Sequence, residues 1–156
     1  MEDLKVGSQK PEARSQIKDI RLSIQIDSFK YPDGTQALSD IKFEIKHGEF
    51  VGILGSNGSG KTTLLKIMDG LTKDFEGSVY LDGTDIKRLS PKEIYKKTGL
   101  IFQNPDDQLF AATVFEDVAF GPINMGFKED EVDNRINSAL RDVEMEGYAK
   151  KSIHNL

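Results

Sequence analysis

A glycine-rich loop between an apolar segment and a helix-like segment constrains this chain more than any other feature. The loop fits the pattern G-x-x-x-x-G-K-[ST], with the residues Gly55, Ser56, Asn57, Gly58, Ser59, Gly60, Lys61 and Thr62. Residues 50–54 predict a short buried strand, and residues 63–68 predict a helix that ends at Gly70. A phosphate-binding loop requires this order of strand, loop and helix. We therefore predict a nucleotide-phosphate site rather than an ordinary glycine-rich turn.

The residue types of the loop suit the binding of an anion. Glycine accepts a positive φ without strain, so the backbone can curl and direct its N–H groups inward. The helix N-terminus adds a partial positive charge at the same place. Lys61 can reach the β- and γ-phosphates, and the Thr62 hydroxyl can ligate Mg²⁺. Thr63 can touch an α-phosphate, but a plain helical threonine fits the sequence equally well.

Composition excludes several other functions. With 156 residues, the chain has room for one domain or for part of a larger one. The formal net charge of −5 argues against a nucleic-acid partner, because such proteins usually present a basic face. The chain has no cysteine, which excludes disulfides and thiolate metal sites. No apolar run is long enough to cross a bilayer. We expect residues 1–18, which are polar, to form a disordered leader.

Alternating apolar and polar residues predict strands on both sides of the loop. The predicted strands are residues 20–26, 41–45 and 78–81. Residues 31–34 form a turn signal, and Asp82-Gly83 predicts a hairpin turn. The sequence therefore combines antiparallel strands with the phosphate loop in one α/β unit.

The second half of the chain is predicted to be mostly helical. Residues 90–93 predict a capped helix start, and residues 99–102 predict another short buried strand. We expect a helix over 113–120 that stops at Gly121-Pro122, and a longer one over 129–146. The apolar side chains of the longer helix recur at helical spacing and predict a core stripe of Val132, Ile136, Leu140 and Val143.

Three groups of residues together resemble the nucleotide-binding domain of ATP-binding cassette (ABC) transporters. They are Tyr31, the phosphate loop, and Gln103 at the end of the stretch Gly-Leu-Ile-Phe-Gln. The resemblance covers about residues 20–156. Residues 103–110, with 118–122 after them, resemble a narrower group, the ATPases of energy-coupling-factor importers, which include cobalt and nickel uptake systems.

The resemblance implies an α/β fold of the P-loop NTPase type, with an N-terminal antiparallel β subdomain and a partial helical subdomain. It places the ATP-binding core and β subdomain at 19–104 and the helical subdomain at 105–156. ATP and Mg²⁺ are the implied cofactors. Tyr31 matches the aromatic residue that stacks on adenine, although a Tyr-Pro turn packed on its own sheet would explain the same residues. Gln103 matches the residue that contacts Mg²⁺ and the attacking water.

The resemblance also implies partners. The segment from Gln103 to Phe110 would face a transmembrane importer subunit, with Leu109 and Phe110 as interface candidates, although buried packing explains these two equally well. A second ATPase subunit, the same or a different chain, would complete a dimer at the cytoplasmic face of the membrane. The pair Asp106-Asp107 lies among turn-forming residues, so we interpret it as a turn rather than a metal site.

In ABC proteins the next element is a Leu-Ser-Gly-Gly-Gln signature, and Leu156 matches its first residue. The Walker B strand, its catalytic Glu and the switch His would come later. We therefore expect the chain to be the N-terminal part of a longer ATPase that hydrolyses little ATP alone. Two other readings stay open at this point. One is a small P-loop kinase or GTPase, although antiparallel strands precede the loop here and no Asn-Lys-x-Asp motif follows it. The other is a non-catalytic nucleotide-binding module.

Overall fold

The computed structural model describes residues 5–6 and 19–153. The rest of the predicted leader and Leu156, the first residue of the expected signature, lie outside the described residues. The described chain falls into two compact units, one that extends through Leu100 and one that begins at Ile101. Because neither the structure nor the sequence tests the domain bounds of 19–104 and 105–156 further, these bounds stay a prediction.

The first unit combines strands with two short helices. In chain order its described elements are β1 (Lys5–Val6), β2 (Ile20–Lys30), β3 (Gln36–Lys46), β4 (Ile53–Leu54), α1 (Lys61–Met68), β5 (Glu76–Leu81), β6 (Thr84–Asp85) and α2 (Pro91–Tyr95). Four of the strands form an antiparallel sheet in the order β3-β2-β5-β6. The short β1 pairs antiparallel with β4, so Lys5 and Val6 form a strand where the sequence predicted a leader without structure.

The antiparallel sheet confirms the strand predictions from alternation. The strands are longer than predicted because pairing extends to both ends of the β2–β3 hairpin. Gly34 N donates to Tyr31 O at 2.9 Å, which closes the predicted turn between these strands. Asp82 and Gly83 both have positive φ, 48° and 76°, as a two-residue hairpin turn between right-twisted strands requires.

The core of the first unit lies between the sheet and α1. Alternate residues of β2 point into it, and Leu64 and Ile67 of α1 cover it, both fully buried. The buried members of this core are Ile24, Ile26, Phe29, Leu38, Leu64, Ile67, Phe75, Val79, Ile86 and Ile94. The core fixes α1, and with it the helical end of the phosphate loop, against the sheet.

The predicted cap of α2 is confirmed. Ser90 Oγ accepts from Glu93 N at 3.3 Å, and the Glu93 carboxylate accepts from Ser90 N at 2.9 Å. The Glu93 carboxylate also accepts from the Ser90 hydroxyl at 2.6 Å. These hydrogen bonds from Ser90 lower the pKa of Glu93, because they stabilise the charged carboxylate. The capping box therefore starts the helix where the sequence placed it.

Two predictions of buried strands are wrong. Within 50–54 only Ile53–Leu54 is a strand, Phe50 is fully exposed, and Leu54 is 73% exposed. Residues 99–102 form no strand, and Ile101 is exposed. An apolar run becomes a buried strand only where neighbours complete its hydrogen-bond ladder and cover its faces. Among the described residues, β4 pairs only with β1, which is two residues long.

The second unit is helical. It contains α3 (Val114–Asn124) and α4 (Glu129–Asp142), with 3-10 turns at Pro105–Gln108 and Glu146–Tyr148. Its core is formed by Val114, Ala119, Val132, Ile136, Leu140 and Ile153. Three of the four predicted stripe residues are thus buried, but Val143 is 61% exposed because α4 ends at Asp142. Among the described residues, no helix has the length and apolar character needed to cross a membrane.

The predicted end of the first helix of this unit is also wrong. Helix α3 continues through Gly121-Pro122 and ends only after Asn124. Proline inside a helix removes one backbone hydrogen bond, but the residues that follow it can still be helical. Gly126, whose φ is 80°, terminates the helix two residues after Asn124. Gly126 N donates to Ile123 O, and Phe127 N donates to Pro122 O. This is a glycine-based Schellman termination.

Candidate functional site: the phosphate loop and its neighbours

The loop enters α1 through Gly60, a position where any side chain would be strained and too close to β3. Gly60 has φ 90°, and a Cβ placed on it would lie 2.4 Å from the backbone oxygen of Ala37 in β3. The same Cβ would lie 2.8 Å from Leu38 Cδ2. Gly58 also has a positive φ, 81°, but a Cβ there would meet nothing within 4 Å. Gly60 therefore lets the loop press against β3, whereas Gly58 supplies backbone curvature on an open side.

The N-terminus of α1 is free to receive an anion. Gly60 is the N-cap and offers no side chain, so no side-chain hydrogen bond caps the helix. The N–H groups of the first turn have no acceptor within the helix, and the first turn has no acidic residue. The free donors and the helix dipole together suit a phosphate group. The residues present therefore fit a nucleotide phosphate.

Lys61 lies over the loop in the conformation described. Its Nζ donates to Gly55 O at 2.8 Å and to Ser56 O at 2.6 Å, and Ser59 Oγ lies 3.4 Å from it. The ammonium is thus held by the acceptors of its own loop. A phosphate oxygen carries more negative charge than a carbonyl and would compete for the same donors.

Tyr31 lies beside the phosphate-loop helix. Its hydroxyl is 2.6 Å from Thr63 Oγ1, and its ring packs edge-on against Phe29 with the centroids 5.1 Å apart. Tyr31 is 41% exposed, so part of the residue faces solvent. The tertiary fold thus brings the predicted adenine-stacking residue to the predicted phosphate site, across 32 residues of sequence.

The turn that carries Tyr31 is fixed by its own hydrogen bonds. Tyr31 N donates to Thr35 O at 2.9 Å, and Thr35 N donates to Asp33 Oδ1 at 2.9 Å. The second hydrogen bond lowers the pKa of Asp33, because the Thr35 amide favours the charged carboxylate. The turn therefore holds the backbone of Tyr31 in place, independently of the contact with Thr63.

The remaining predicted site residues are divided between the two units. Ser56, Asn57 and Thr62 are exposed in the first unit, whereas Gln103 is exposed in the second. The Mg²⁺-binding roles of Thr62 and of Gln103 therefore stay predictions. Among the residues that the structure describes, no group of three or more acidic or histidine side chains is placed to hold a metal ion.

The sequence did not reveal the pairing of Tyr31 with Thr63. The sequence left Thr63 open between a phosphate contact and a plain helical threonine. Thr63 is in fact 6% exposed, and its hydroxyl is bound to the Tyr31 hydroxyl. No spacing rule signals a contact between a turn and a helix so far apart in sequence.

Comparison with known proteins gives the family. The ABC transporter family matches residues 38–156. An ABC transporter ATP-binding protein of Geobacter sulfurreducens is 64% identical over 137 residues, which cover 88% of this chain and 49% of that protein. The energy-coupling factor transporter ATP-binding protein EcfA of Methanocaldococcus jannaschii is 49% identical over 130 residues, which cover 82% of this chain and 47% of that protein. The chain thus spans about half the length of these relatives.

Two solved structures show the same fold. One is cbiO1 from Clostridium perfringens, described as part of the ABC transporter complex cbiONQ, with a TM-score of 0.73 and 34% identity over 88% of this chain and 56% of that one. The other is the ATP-binding cassette MJ0796, a dimer in a post-hydrolysis state with ADP and Pi, with a TM-score of 0.69 and 29% identity over 86% of this chain and 62% of that one. The fold is therefore the α/β P-loop NTPase type, as predicted. This chain belongs to the ABC transporter family.

Proposed function

We propose that the chain is the nucleotide-binding part of the ATPase of an ABC importer of the energy-coupling-factor type. The importer would take up a metal ion such as cobalt or nickel, or a vitamin. The geometry of the phosphate loop carries this proposal. The closely packed Gly60, the uncapped start of α1 and the Lys61 ammonium form a site for a triphosphate. The names of the relatives, including EcfA, support the transport assignment.

The residues of the site have distinct proposed functions. ATP, when bound, supplies the phosphoanhydride bond whose hydrolysis drives transport. The loop from Gly55 to Gly60 binds its phosphates through backbone N–H groups, and Lys61 neutralises their charge. Thr62 would offer its hydroxyl oxygen to Mg²⁺. Gln103, as the family resemblance implies, would offer its amide oxygen. The ring of the partly exposed Tyr31 would stack on the adenine.

The proposed partners follow from the family. The segment from Gln103 to Phe110 would contact a transmembrane subunit at the cytoplasmic face of the membrane. Leu109 and Phe110 are partly exposed within this segment. A second ATPase subunit would complete a dimer, as in the dimeric MJ0796. We propose no nucleic-acid partner, since the net charge is −5.

The site residues that the structure describes suit phosphate binding but include no general base for water. We therefore propose that the 156-residue chain hydrolyses little ATP. The family match argues against the small P-loop kinase or GTPase. A non-catalytic nucleotide-binding module would bind ATP but would not hydrolyse it, even in a complete transporter. An ATPase assay on the complete assembly therefore separates this alternative from the proposed ATPase function.

The first prediction tests the nucleotide site. Replacing Lys61 by Ala removes the mobile charge over the loop, so we expect affinity for Mg²⁺-ATP to fall by about tenfold or more, since hydrogen bonds to charged groups contribute about 1.5–3 kcal/mol. Isothermal titration calorimetry on the 156-residue chain measures the effect. Lys66→Ala is the matched control, because Lys66 is an exposed lysine in the last turn of the same helix.

The control variant should bind as the unchanged chain does. Equal affinity of the Lys61→Ala variant and the unchanged chain would contradict the proposed function. Tighter binding of GTP than of ATP would instead favour a guanine-nucleotide protein.

A further inference from the structure

We propose that the Tyr31 hydroxyl orients the Thr63 hydroxyl to donate to a nucleotide phosphate, so that Tyr31 contributes to phosphate binding through its oxygen as well as to base binding through its ring. The inference rests on the proposed function, because it concerns the same nucleotide site. In this proposal Tyr31 helps to position the phosphate. This role is separate from the stacking of its ring on a base.

The contact itself is close and well supported. The two hydroxyl oxygens are 2.6 Å apart, at the short end of the range for O–H···O hydrogen bonds. Thr63 is 6% exposed and lies in the first turn of α1. Tyr31 is held at its other end by the Phe29 ring and by the hydrogen bond from Tyr31 N to Thr35 O. The phenol oxygen is therefore fixed where it meets Thr63.

Counting protons gives the direction of this hydrogen bond when phosphate is present. Each hydroxyl has one proton to donate and can accept as well. Phosphate oxygens are strong acceptors. Thr63 can therefore donate to a phosphate only when its proton is not used on Tyr31, which requires Tyr31 to be the donor in the pair. The phenol suits this direction, because a phenolic O–H is a stronger hydrogen-bond donor than an aliphatic O–H.

The resulting chain runs from the Tyr31 hydroxyl to Thr63 and from Thr63 to the phosphate. Successive hydrogen bonds of this kind polarise and strengthen one another in a partly buried setting. The turn between β2 and β3 and the first turn of α1 would then respond to phosphate as one hydrogen-bonded unit. A tyrosine that only stacks on adenine would have no effect on a ligand that lacks a base.

Inorganic triphosphate separates the two functions of Tyr31, because it has the phosphates and lacks the base. Tyr31→Phe keeps the ring for stacking and removes the hydroxyl. We expect this variant to bind Mg²⁺-triphosphate and Mg²⁺-ATP more weakly by a similar factor, about three- to tenfold, as for the loss of one hydrogen bond. Calorimetry on the 156-residue chain gives both affinities.

Two sets of variants serve as controls. Tyr80→Phe removes a hydroxyl from a tyrosine of β5 that is also 41% exposed, and it should change neither affinity. Thr63→Ser keeps the hydroxyl and should recover most of the triphosphate affinity that Thr63→Val loses. Thr63→Val should weaken triphosphate binding at least as much as Tyr31→Phe does. The double variant Tyr31→Phe/Thr63→Val should bind triphosphate no more weakly than Thr63→Val alone, because both changes break the same chain of hydrogen bonds.

The outcomes separate this inference from the proposed function. Weaker ATP binding with unchanged triphosphate binding in Tyr31→Phe would show a base contact alone and would overturn the inference. Unchanged binding of both ligands would overturn it as well. If the unchanged chain binds neither ATP nor triphosphate, the proposed function fails and the inference fails with it. If Thr63→Val does not fold, Tyr31→Phe still decides the question, with Tyr80→Phe as its control.

Discussion

The helix after the phosphate loop and the strand before it are both apolar in sequence, but only the helix is buried. Leu64 and Ile67 of α1 are covered by the antiparallel sheet. Phe50 and Leu54, before the loop, are mostly exposed, and β4 pairs only with the two residues of β1 among the described residues. The loop is therefore held from its helical end, and its shape depends on the packing of α1 against β3.

The difference teaches that an apolar run alone does not decide burial. Helix α1 forms its own backbone hydrogen bonds and needs only a surface for its apolar face. A strand needs neighbours for its backbone as well as for its side chains. An apolar segment therefore became a buried helix face in one place and an exposed strand in the other.

The largest expected effect tests this contrast directly. Ile67→Ala removes a fully buried side chain from α1, so we expect the free energy of unfolding to fall by about 2–5 kcal/mol. Leu54→Ala, in the exposed β4, should change it by no more than about 0.5 kcal/mol. Urea denaturation followed by circular dichroism measures both. Comparable losses in the two variants would show that the strand is held as firmly as the helix.

A smaller effect is expected at the point where the loop meets β3. Gly60→Ala and Gly58→Ala both place a side chain at positive φ, which costs about 1–2 kcal/mol. Only Gly60→Ala also brings a Cβ to 2.4 Å from Ala37 O, which adds about 1–3 kcal/mol. We therefore expect the Gly60 variant to be the less stable of the two by that difference, measured by thermal unfolding. Equal stabilities would mean that the loop does not need to press against β3.

The smallest expected effect concerns charges at the edge of the sheet, in the turn between β5 and β6. The Asp82 carboxylate accepts from Lys97 Nζ at 2.7 Å and from the Arg21 guanidinium at 2.6 Å, and His47 Nε2 is 3.5 Å away. These hydrogen bonds, from Lys97 first and Arg21 next, lower the pKa of Asp82 below its usual value. Because the pairs are partly exposed, they contribute up to about 1 kcal/mol.

The sign of the pH dependence follows from this shift. A carboxyl group whose pKa is lower in the folded state stabilises the fold above its unfolded pKa of about 3.9. That stabilisation is lost as the pH falls through the lower folded pKa. Asp82→Asn should therefore be less stable than the unchanged chain at pH 7, with the difference shrinking below pH 4. Asp74→Asn, at an exposed aspartate, serves as control. A difference that persists unchanged at pH 3 would exclude an ionic origin.

Much of the fold was predictable from local patterns. Alternation gave β2, β3 and β5, and Asp82-Gly83 gave the hairpin turn. The capping residues gave the start of α2. The errors fell where long-range partners decide the outcome, as for the strands at 50–54 and 99–102. At Pro122 the proline was given too much weight, because the cost of one missing hydrogen bond did not stop α3.

The sequence by itself predicted the phosphate loop, because this spacing of glycine, lysine and threonine at the start of a helix is typical of such loops. It also placed the chain among the ABC transporters, a prediction that the family match confirms. Only the tertiary structure decided that Gly60 presses against Ala37 O and that the Tyr31 hydroxyl meets Thr63. Both contacts join residues more than twenty positions apart, and the packing of α1 on the sheet, rather than any local preference, sets their distances.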